Sequence, residues 1–531
     1  MFAEPPFEDA LGLIRQNRAC FESRNPNVQG RTLQQLRQWS REQVVAAARD
    51  YTSNLIGATL SDEPFDVILA GGHQPSLFHP GVWVKNFGIG ELAARAGGVA
   101  LNLVIDNDTI STSRLRVPGG SRRRLRYETI PFDADRLTGP WEEAHILDRE
   151  LFQSFGERIV GQMLRWNVNP LAADIWPDAV QQMQQSTLLR DCLTAARHCL
   201  ERRWGLANLE LPISRMCELD PFLWFTSHVL AHLPRFRDIY NEVLLEYRRV
   251  NGIRSRTHPV ADLKEADGWL ESPFWVWRVG ERQRGRVFAK QVGREVHLSN
   301  GTDVFATVPL TVEMDACCAV EVLRKLPAQG IRLRTRALTT TLFARLCFCD
   351  LFVHGTGGSK YDEMTDRIIA RFFKLPAPAF LTLSATLRLA IAGDDGVTKC
   401  DELRLFSLLR DLQYNSDRHL SEGARVKANA LIAEKSKLIA EQHAALTSHL
   451  SRSERRRPTR ENHARFRRFQ TINHQLARLT LDRRRRMEDE LARVRNQITA
   501  NSILQDREFS FCLYPAEKLR RLMAGLREHH E

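Results

Sequence analysis

His73 and His79 bracket a polar turn, Gly72-His73-Gln74-Pro75-Ser76-Leu77-Phe78-His79-Pro80-Gly81, which follows the apolar run Val67-Ile68-Leu69-Ala70. Two imidazoles beside the free amides of a helix N-terminus can face one anion and offset the charge that builds as it reacts. The plain alternative is a pair of capping or turn histidines. A second group, Asp106-Asn107-Asp108, closes the apolar run Val99 to Ile105. Carboxylates there can hold a metal, bind a ribose hydroxyl or act as a base; the same residue types also make N-caps and turns.

A third group, His354-Gly355-Thr356-Gly357-Gly358-Ser359-Lys360, follows the apolar run Leu346 to Val353. A glycine-rich turn between strand and helix exposes amides to an anion, and a lysine adds charge. The spacing is not that of a P-loop, and a tight strand-to-helix connection explains it equally well. His228 and His232 have the i, i+4 spacing of zinc ligands, but no Glu follows His228 and no third ligand is evident, so they read as one wetter helix face. Trp275 and Trp277 alternate along a strand and read as packing. The candidate set is therefore His73, His79, Asp106 and Asp108 for catalysis. For substrate or nucleotide binding it is Gly72, Gln74, Lys85, Asn86, Asn107, Gly355, Gly357, Gly358, Ser359 and Lys360. No metal-ligand set is assigned.

Short apolar runs bounded by turns, with a helix-length segment between them, predict a strand-helix-strand unit over Asp66 to Asp108 with parallel strands. Ligands in such sheets sit beyond the carboxyl ends of the strands, where His73 and Asp106 to Asp108 would lie. Ahead of this unit, residues 1–60 read as a helical segment, and 61–220 as the first part of the core, with a strand at Leu209 to Ile213. Val117 to Gly120 supplies a turn signal. Residues 221–330 read as a connecting region, with one helix from Pro221 to Val250 and a hairpin built from Glu271–Arg278, Gly285–Lys290 and Glu295–Leu298. The core resumes over 331–420.

Residues 421–503 change character. Leu431, Leu438 and Ala445 fall seven apart, as do Ile432, Ile439 and Leu446. After a polar break at Ser451 to Pro458, a second helix would turn Phe466, Phe469, Leu476, Leu479, Met487, Leu491, Val494 and Ile498 inward. Two such helices predict a coiled-coil hairpin, paired within the chain or joining a homodimer. The last residues, 504–531, read as a short strand at Phe509 to Leu513 and a closing helix.

At 531 residues the chain exceeds one ordinary core, and 43% apolar with 26% charged residues is a globular composition. No apolar stretch is long enough for a membrane span, and the opening residues Met1 to Pro6 lack the regions of a signal peptide. Ten scattered cysteines without C-x-x-C spacing predict reduced thiols in a cytoplasm. Of the net charge of +12, Ser451 to Glu490 carries about +7, from thirteen Arg and six acidic residues. Charge confined to one helical region weighs against a nucleic-acid protein, whose basic patch usually lies on a folded surface with aromatics interleaved.

The paired histidines are similar to the signature of class I aminoacyl-tRNA synthetases and nucleotidylyltransferases, although His-x5-His departs from the usual H-x-G-H. Over most of the chain from Asp66, the order of elements resembles the cysteine-adding ligase family of bacillithiol biosynthesis. The residues that carry this likeness are Gly72 to Gly81, Asp106 to Asp108, Gly357 to Glu363, Leu375-Pro376-Ala377-Pro378, Leu383-Ser384-Ala385-Thr386-Leu387 and Leu504 to Glu508. His73 stands where that family has Gln, Asp106 to Asp108 lacks the central His, and Lys360 is inserted. The resemblance implies an α/β fold with a Rossmann-like parallel sheet core, an inserted connecting region and a C-terminal helical coiled coil. It also implies an amide-forming ligase joining cysteine or another amino acid to an amino-sugar-type acceptor. If the reaction uses ATP, His73 and His79 would stabilise phosphate charge, Lys360 and the amides of Gly355 to Gly358 would hold a second anion, and Asp106 or Asp108 would orient an amine or a metal. Two alternatives stay open: a nucleotidylyltransferase-like enzyme without thiol chemistry, and a non-catalytic protein binding an acidic partner or RNA through the Arg-rich hairpin.

Overall fold

The computed structural model describes residues 1–531 apart from 61, 122–123, 136–138, 256, 392–395, 447–458 and 529–531. It divides into two compact units, one of residues 1–117, 129–389 and 507–531, the other of residues 118–128 and 390–506. Among the described residues, no helix is long and apolar enough to cross a membrane.

The first unit is built on a six-stranded, mostly parallel sheet. In chain order its strands are β1 (Phe2–Glu4), β2 (Ile68–His73), β3 (Val99–Val104), β4 (Leu209–Pro212), β5 (Leu351–His354) and β6 (Phe380–Ser384). Across the sheet they lie β1-β6-β5-β2-β3-β4, all parallel except the edge strand β1. The chain thus starts at the centre with β2, builds outward through β3 and β4, then returns to lay β5 on the other side of β2. β2 and β3 are almost wholly buried, as expected of parallel strands covered on both faces. The strand-helix-strand unit expected over Asp66 to Asp108 is present.

The helices that matter to the sheet are α1 (Leu33–Ile56), α2 (Pro80–Ala96), α3 (Leu189–Arg203) and α4 (Thr356–Ile368). α2 begins with Pro80 in its first turn and ends at Gly97, which takes a left-handed φ of 62°. Its start is pressed against the chain beyond β6: a Cβ on Gly81 would stand 2.3 Å from the Ala385 carbonyl oxygen. At the opposite end of the sheet, fully buried contacts tie β5 to α1. Asp350 accepts from Arg37 at 2.7 Å, from Arg41 at 2.8 Å and from the Ile68 amide at 2.8 Å.

A second sheet, antiparallel, orders Val304–Pro309, Glu295–Ser299, Gly285–Val292, Trp269–Arg278 and Ile331–Thr335. The hairpin expected in the connecting region is there. Ile331–Thr335, expected to reopen the parallel core, instead pairs with Trp269–Arg278, Phe274 opposite Thr335. The single helix expected from Pro221 to Val250 is two, Asp220–Ala231 and Leu233–Val250. Pro234 explains the break at His232, since it lacks an amide and crowds the preceding turn. Val117 to Gly120 lies within a strand, Arg114–Ser121, rather than in a turn. Phe509 to Leu513 is not a strand; its end forms a 3-10 turn, Phe511–Leu513, whose first amide donates to the Phe78 carbonyl.

In the second unit the main helices are α5 (Lys399–Tyr414), α6 (Asn429–Leu446), α7 (Arg460–Arg478) and α8 (Leu481–Leu504). The polar break at Ser451 to Pro458 lies outside the described residues. A coiled-coil hairpin is not confirmed. On the described part of α6, Leu431, Ile432 and Leu438 pack on a small cluster of Ala428, Ile472 and Leu476, and Ile439 is exposed; the side chains of Ala445 and Leu446 lie outside what is described. The second long helix is broken between α7 and α8, and Phe466 and Leu479, expected inward, are 60% and 46% exposed.

Asp350→Ala would leave the buried Arg37 and the half-buried Arg41 guanidinium without their carboxylate. The expected cost is about 3–5 kcal/mol, read as a lower urea midpoint for the first unit, whereas replacing exposed Asp62, partner of Arg49, should change it by about 1 kcal/mol or less.

Candidate active-site crevice

β2 and β5 are neighbours whose connections run to opposite sides of the sheet, and in parallel sheets the ligand crevice lies beyond the carboxyl ends of such strands, here at His73 and His354. α2 leaves β2 through the 74–79 turn and carries Lys85 back over that edge. The Lys85 ammonium donates to the Gly72 carbonyl oxygen, and the residue is only 5% exposed. Gly355 forms the facing wall: a Cβ there would stand 4.0 Å from Cδ and Cε of Lys85. Among the described residues no carboxylate forms an ion pair with Lys85, and burial pushes its ammonium down to about 8.

The third sequence motif is arranged differently from a free glycine loop. α4 starts at Thr356 directly after β5, so Gly357 and Gly358 belong to its first turn, and Gly355 at the N-cap offers no side-chain cap. The amides of this first turn therefore carry the positive end of the helix dipole without a side-chain acceptor. Lys360 and the two glycines are exposed, and Ser359 bonds locally to the Thr356 carbonyl at 3.4 Å. His354, at the tip of β5, donates from Nε2 to Asp362 at 2.9 Å, and Asp362 is paired with Arg345. Burial alone would raise the Asp362 carboxyl, but His354 and Arg345 outweigh it and hold it well below the usual carboxylate range. Gly358 is required here: a Cβ would lie 2.9 Å from His354 Nδ1.

The two histidines of the first motif do not converge on one point. His73 is buried, its Nδ1 3.1 Å from the Gln74 carbonyl and its Nε2 3.4 Å from the Asn86 amide nitrogen, with Phe78 packed on the ring. Those contacts fit a neutral ring with the proton on Nδ1. Burial, aided by the Arg197 charge, pushes it down to about 3. His79 is the N-cap of α2, its Nδ1 accepting the Gly81 amide at 3.1 Å and its Nε2 3.8 Å from Glu508.

Asp106 is also committed elsewhere. It is fully buried, bonded to Arg190 and accepting the Ser214 amide at 2.9 Å. Asn107 donates to the Thr335 carbonyl at 2.8 Å. Asp108 remains at the surface, where it accepts from Gln74 and lies 3.0 Å from Arg284. The crevice thus gathers Gly72, Lys85 and Gly355 with the first turn of α4. Gln74 and Asp108 form a polar rim tied to each other.

Beneath the crevice, Asn86 leads into a buried network that the sequence does not announce. Glu201 accepts from Asn86 at 2.8 Å and from the Trp83 indole; Arg197 bridges Glu201 and Glu210 at 2.6 and 2.7 Å. His198, Glu201 and Glu210 place ligand atoms within 4.8 Å of one another, a spacing open to a metal. The Arg197 guanidinium already neutralises both carboxylates and His198 Nδ1 lies 3.2 Å from Glu210, while His198 Nε2 is buried without a hydrogen-bond partner. The i, i+4 pair Arg197 and Glu201 is the one local signal that could have exposed the network. Glu210 joins from β4, 13 residues after Arg197, whereas Asn86 comes from α2, 115 residues before Glu201. His228 and His232 lie with ring centroids 4.7 Å apart beside Phe372 and Phe373, and His228 is buried, so the pair packs into the core instead of forming the wetter helix face expected of it.

A cavity of about 850 Å³ lies at the other edge of the sheet, lined by Phe87, Val99, Trp204, Leu209 and Arg520 among others. There the C-terminal ends of α2 and α3 converge, and their carbonyls disfavour an anion. Compared with models of known protein families, the chain matches none, and no curated protein matches it.

Lys85 supplies a stability signature. Its folded value near 8 lies below the ordinary 10.5, so between these values the unfolded chain binds the extra proton and stability rises with pH. Relative to Lys85→Met, the protein should gain about 3 kcal/mol in urea unfolding between pH 7.5 and 10.5. Parallel pH profiles for the two proteins would contradict the burial of an uncompensated ammonium.

Proposed function

We propose that the protein is an amide-forming ligase that binds a nucleotide phosphate in the crevice at β2 and β5 and joins cysteine, or another amino acid, to an amino-sugar-type acceptor. The observation that carries the anion site is Lys85: a buried ammonium held by one backbone carbonyl, next to the uncapped first turn of α4. A buried charge without a counter-charge is costly, and a phosphate or activated carboxylate at this point would supply one. The central sheet adds support, because its strand order resembles that of Rossmann-like dinucleotide-binding folds, whose ligands sit where the strand order reverses. The choice of an amino acid and an amino sugar rests on the sequence resemblance.

In this reading Lys85 and the α4 amides hold the anion. Gly355 and Gly358 keep the approach open, and Gln74 and Asp108 orient the amine at the rim. His73 and His79 set the shape of the 74–79 turn, one as a buried neutral ring and the other as a helix cap. That division of labour favours the ligase over a nucleotidylyltransferase-like mechanism in which both histidines meet the same phosphate. The ten cysteines are all unpaired, which accords with a reducing cytoplasm.

A thermal-shift series with ATP, ADP, cysteine, other amino acids and glucosamine derivatives tests the reading. ATP at a hundred times its dissociation constant should stabilise the protein by about 2.7 kcal/mol. Lys85→Met should weaken that binding by roughly tenfold or more, and wild-type affinity should fall as pH rises past 8. Equal ATP affinity in both proteins, or stabilisation by no anion at all, would remove the crevice from consideration.

A further inference from the structure

The break between α7 and α8 presents a charge cluster that the crevice does not use. Within Arg478-Leu479-Thr480-Leu481-Asp482-Arg483-Arg484-Arg485-Arg486, five guanidiniums face one carboxylate of the same stretch. One stripe of this region is turned inward: Thr480 is 4% and Leu491 7% exposed, with Arg484 and Met487 half-buried between them. Successive helix positions turn by about 100°. Measured from Arg484, Arg483 and Arg485 therefore project from opposite flanks, and Arg486 stands near the outward crest. All three are exposed, as is Arg478.

The cluster is poorly compensated inside the unit. Arg484 pairs with Glu488 at 2.9 Å and Arg483 reaches only the His419 carbonyl, while Arg478, Arg485 and Arg486 form no ion pair among the described residues. The spacings Arg485 to Asp489 and Arg486 to Glu490 could each close an i, i+4 pair, but with the basic residue first, which is the weaker orientation. Four adjacent cations in the first two turns also sit at the unfavourable end of the α8 dipole. The stretch is thus arranged against local stability, unlike α7, where Arg465 and Arg468 face Glu441 and Glu434.

We infer that this ridge binds double-stranded DNA, entering the major groove with Arg483 and Arg485 against the two phosphate walls and Arg486 toward the base edges. The flanking geometry decides between polyanions. A membrane or an acidic peptide meets one face of a helix and would use residues three or four apart. A groove has walls on both sides, and the major groove of B-form DNA, about 12 Å wide, admits a helix of about 10–12 Å. The deep, narrow major groove of A-form RNA does not. Leu479 and Leu481, both more than 40% exposed beside the ridge, can meet thymine methyl groups. Confinement of the charge to one helical region speaks against nucleic acid only if those cations are spent within the fold, and Arg478, Arg483, Arg485 and Arg486 are all exposed.

Fluorescence anisotropy of the full chain with a mixed-sequence 20-base-pair DNA duplex tests the assignment. With Arg478, Arg483 and Arg485 each neutralising one phosphate, the slope of log affinity against log salt should be about −2.7, and affinity should fall roughly 40-fold from 50 to 200 mM NaCl. The triple substitution R483Q/R485Q/R486Q should flatten the slope to about −1 and melt no lower than wild type, since it removes repulsion from exposed positions. Absence of DNA binding at 50 mM NaCl overturns the assignment, as does an unchanged slope in the triple variant. So does equal or tighter binding to duplex RNA, to poly-glutamate or to vesicles with 30% phosphatidylserine.

Discussion

A lysine ammonium buried without a carboxylate is the constraint around which the first unit is best understood. Among the described residues the other buried cations are matched: Arg37 by Asp350, Arg197 by Glu201 and Glu210, Arg248 by Asp262, Arg334 by Glu142 and Glu218, Arg345 by Asp362 and Lys435 by Asp417. Removing a charge from water is expensive unless a partner repays it. Lys85 has only the Gly72 carbonyl. It lies where a parallel sheet reverses its building direction, beside a helix whose first amides are uncapped. Among the described residues, the fold therefore carries its one buried cation without a carboxylate at the place where such sheets bind ligands.

The surrounding network keeps that lysine where it is. α2 is fixed at its start by the His79 cap and by the contact of Gly81 with the Ala385 carbonyl. Along its buried face, Trp83 and Asn86 are anchored to Glu201, which Arg197 ties to Glu210 on β4. Each of these groups is satisfied, so the layer is rigid and specific rather than reactive. On the other wall, the paired Asp362 orients His354 and the glycines leave room. Rigidity below and openness above are what a binding crevice requires.

How much of this was legible in the sequence follows from the range of each signal. Apolar runs stopped by Gly71-Gly72 and by Asp106 gave the strands, and Pro80 with Gly97 gave the helix between them, because those signals are local. The motif glycines marked the right strand end, although Gly357 and Gly358 open a helix instead of forming a loop. The histidines misled for a physical reason: imidazole caps helices and fills buried corners as readily as it meets phosphate, and only burial separates these uses. Asp106 looked available until Arg190 and Ser214 arrived from 84 and 108 residues away. In the second unit, heptad spacing promised a long seam, yet it was spent on a short contact around Ile472 and Leu476, leaving Phe466 and Leu479 outside.

The protonation state of Lys85 itself is the most direct gauge of the crevice. Nitrogen-15 NMR of the lysine side-chain ammonium, assigned by comparison with Lys85→Met, can follow its titration with and without ATP. The expected result is a midpoint near 8 in the free protein, moving upward when the anion occupies the crevice. A midpoint near the ordinary 10.5 in the free protein, or one that no anion displaces, would contradict the assignment of this lysine as the counter-charge for a bound ligand.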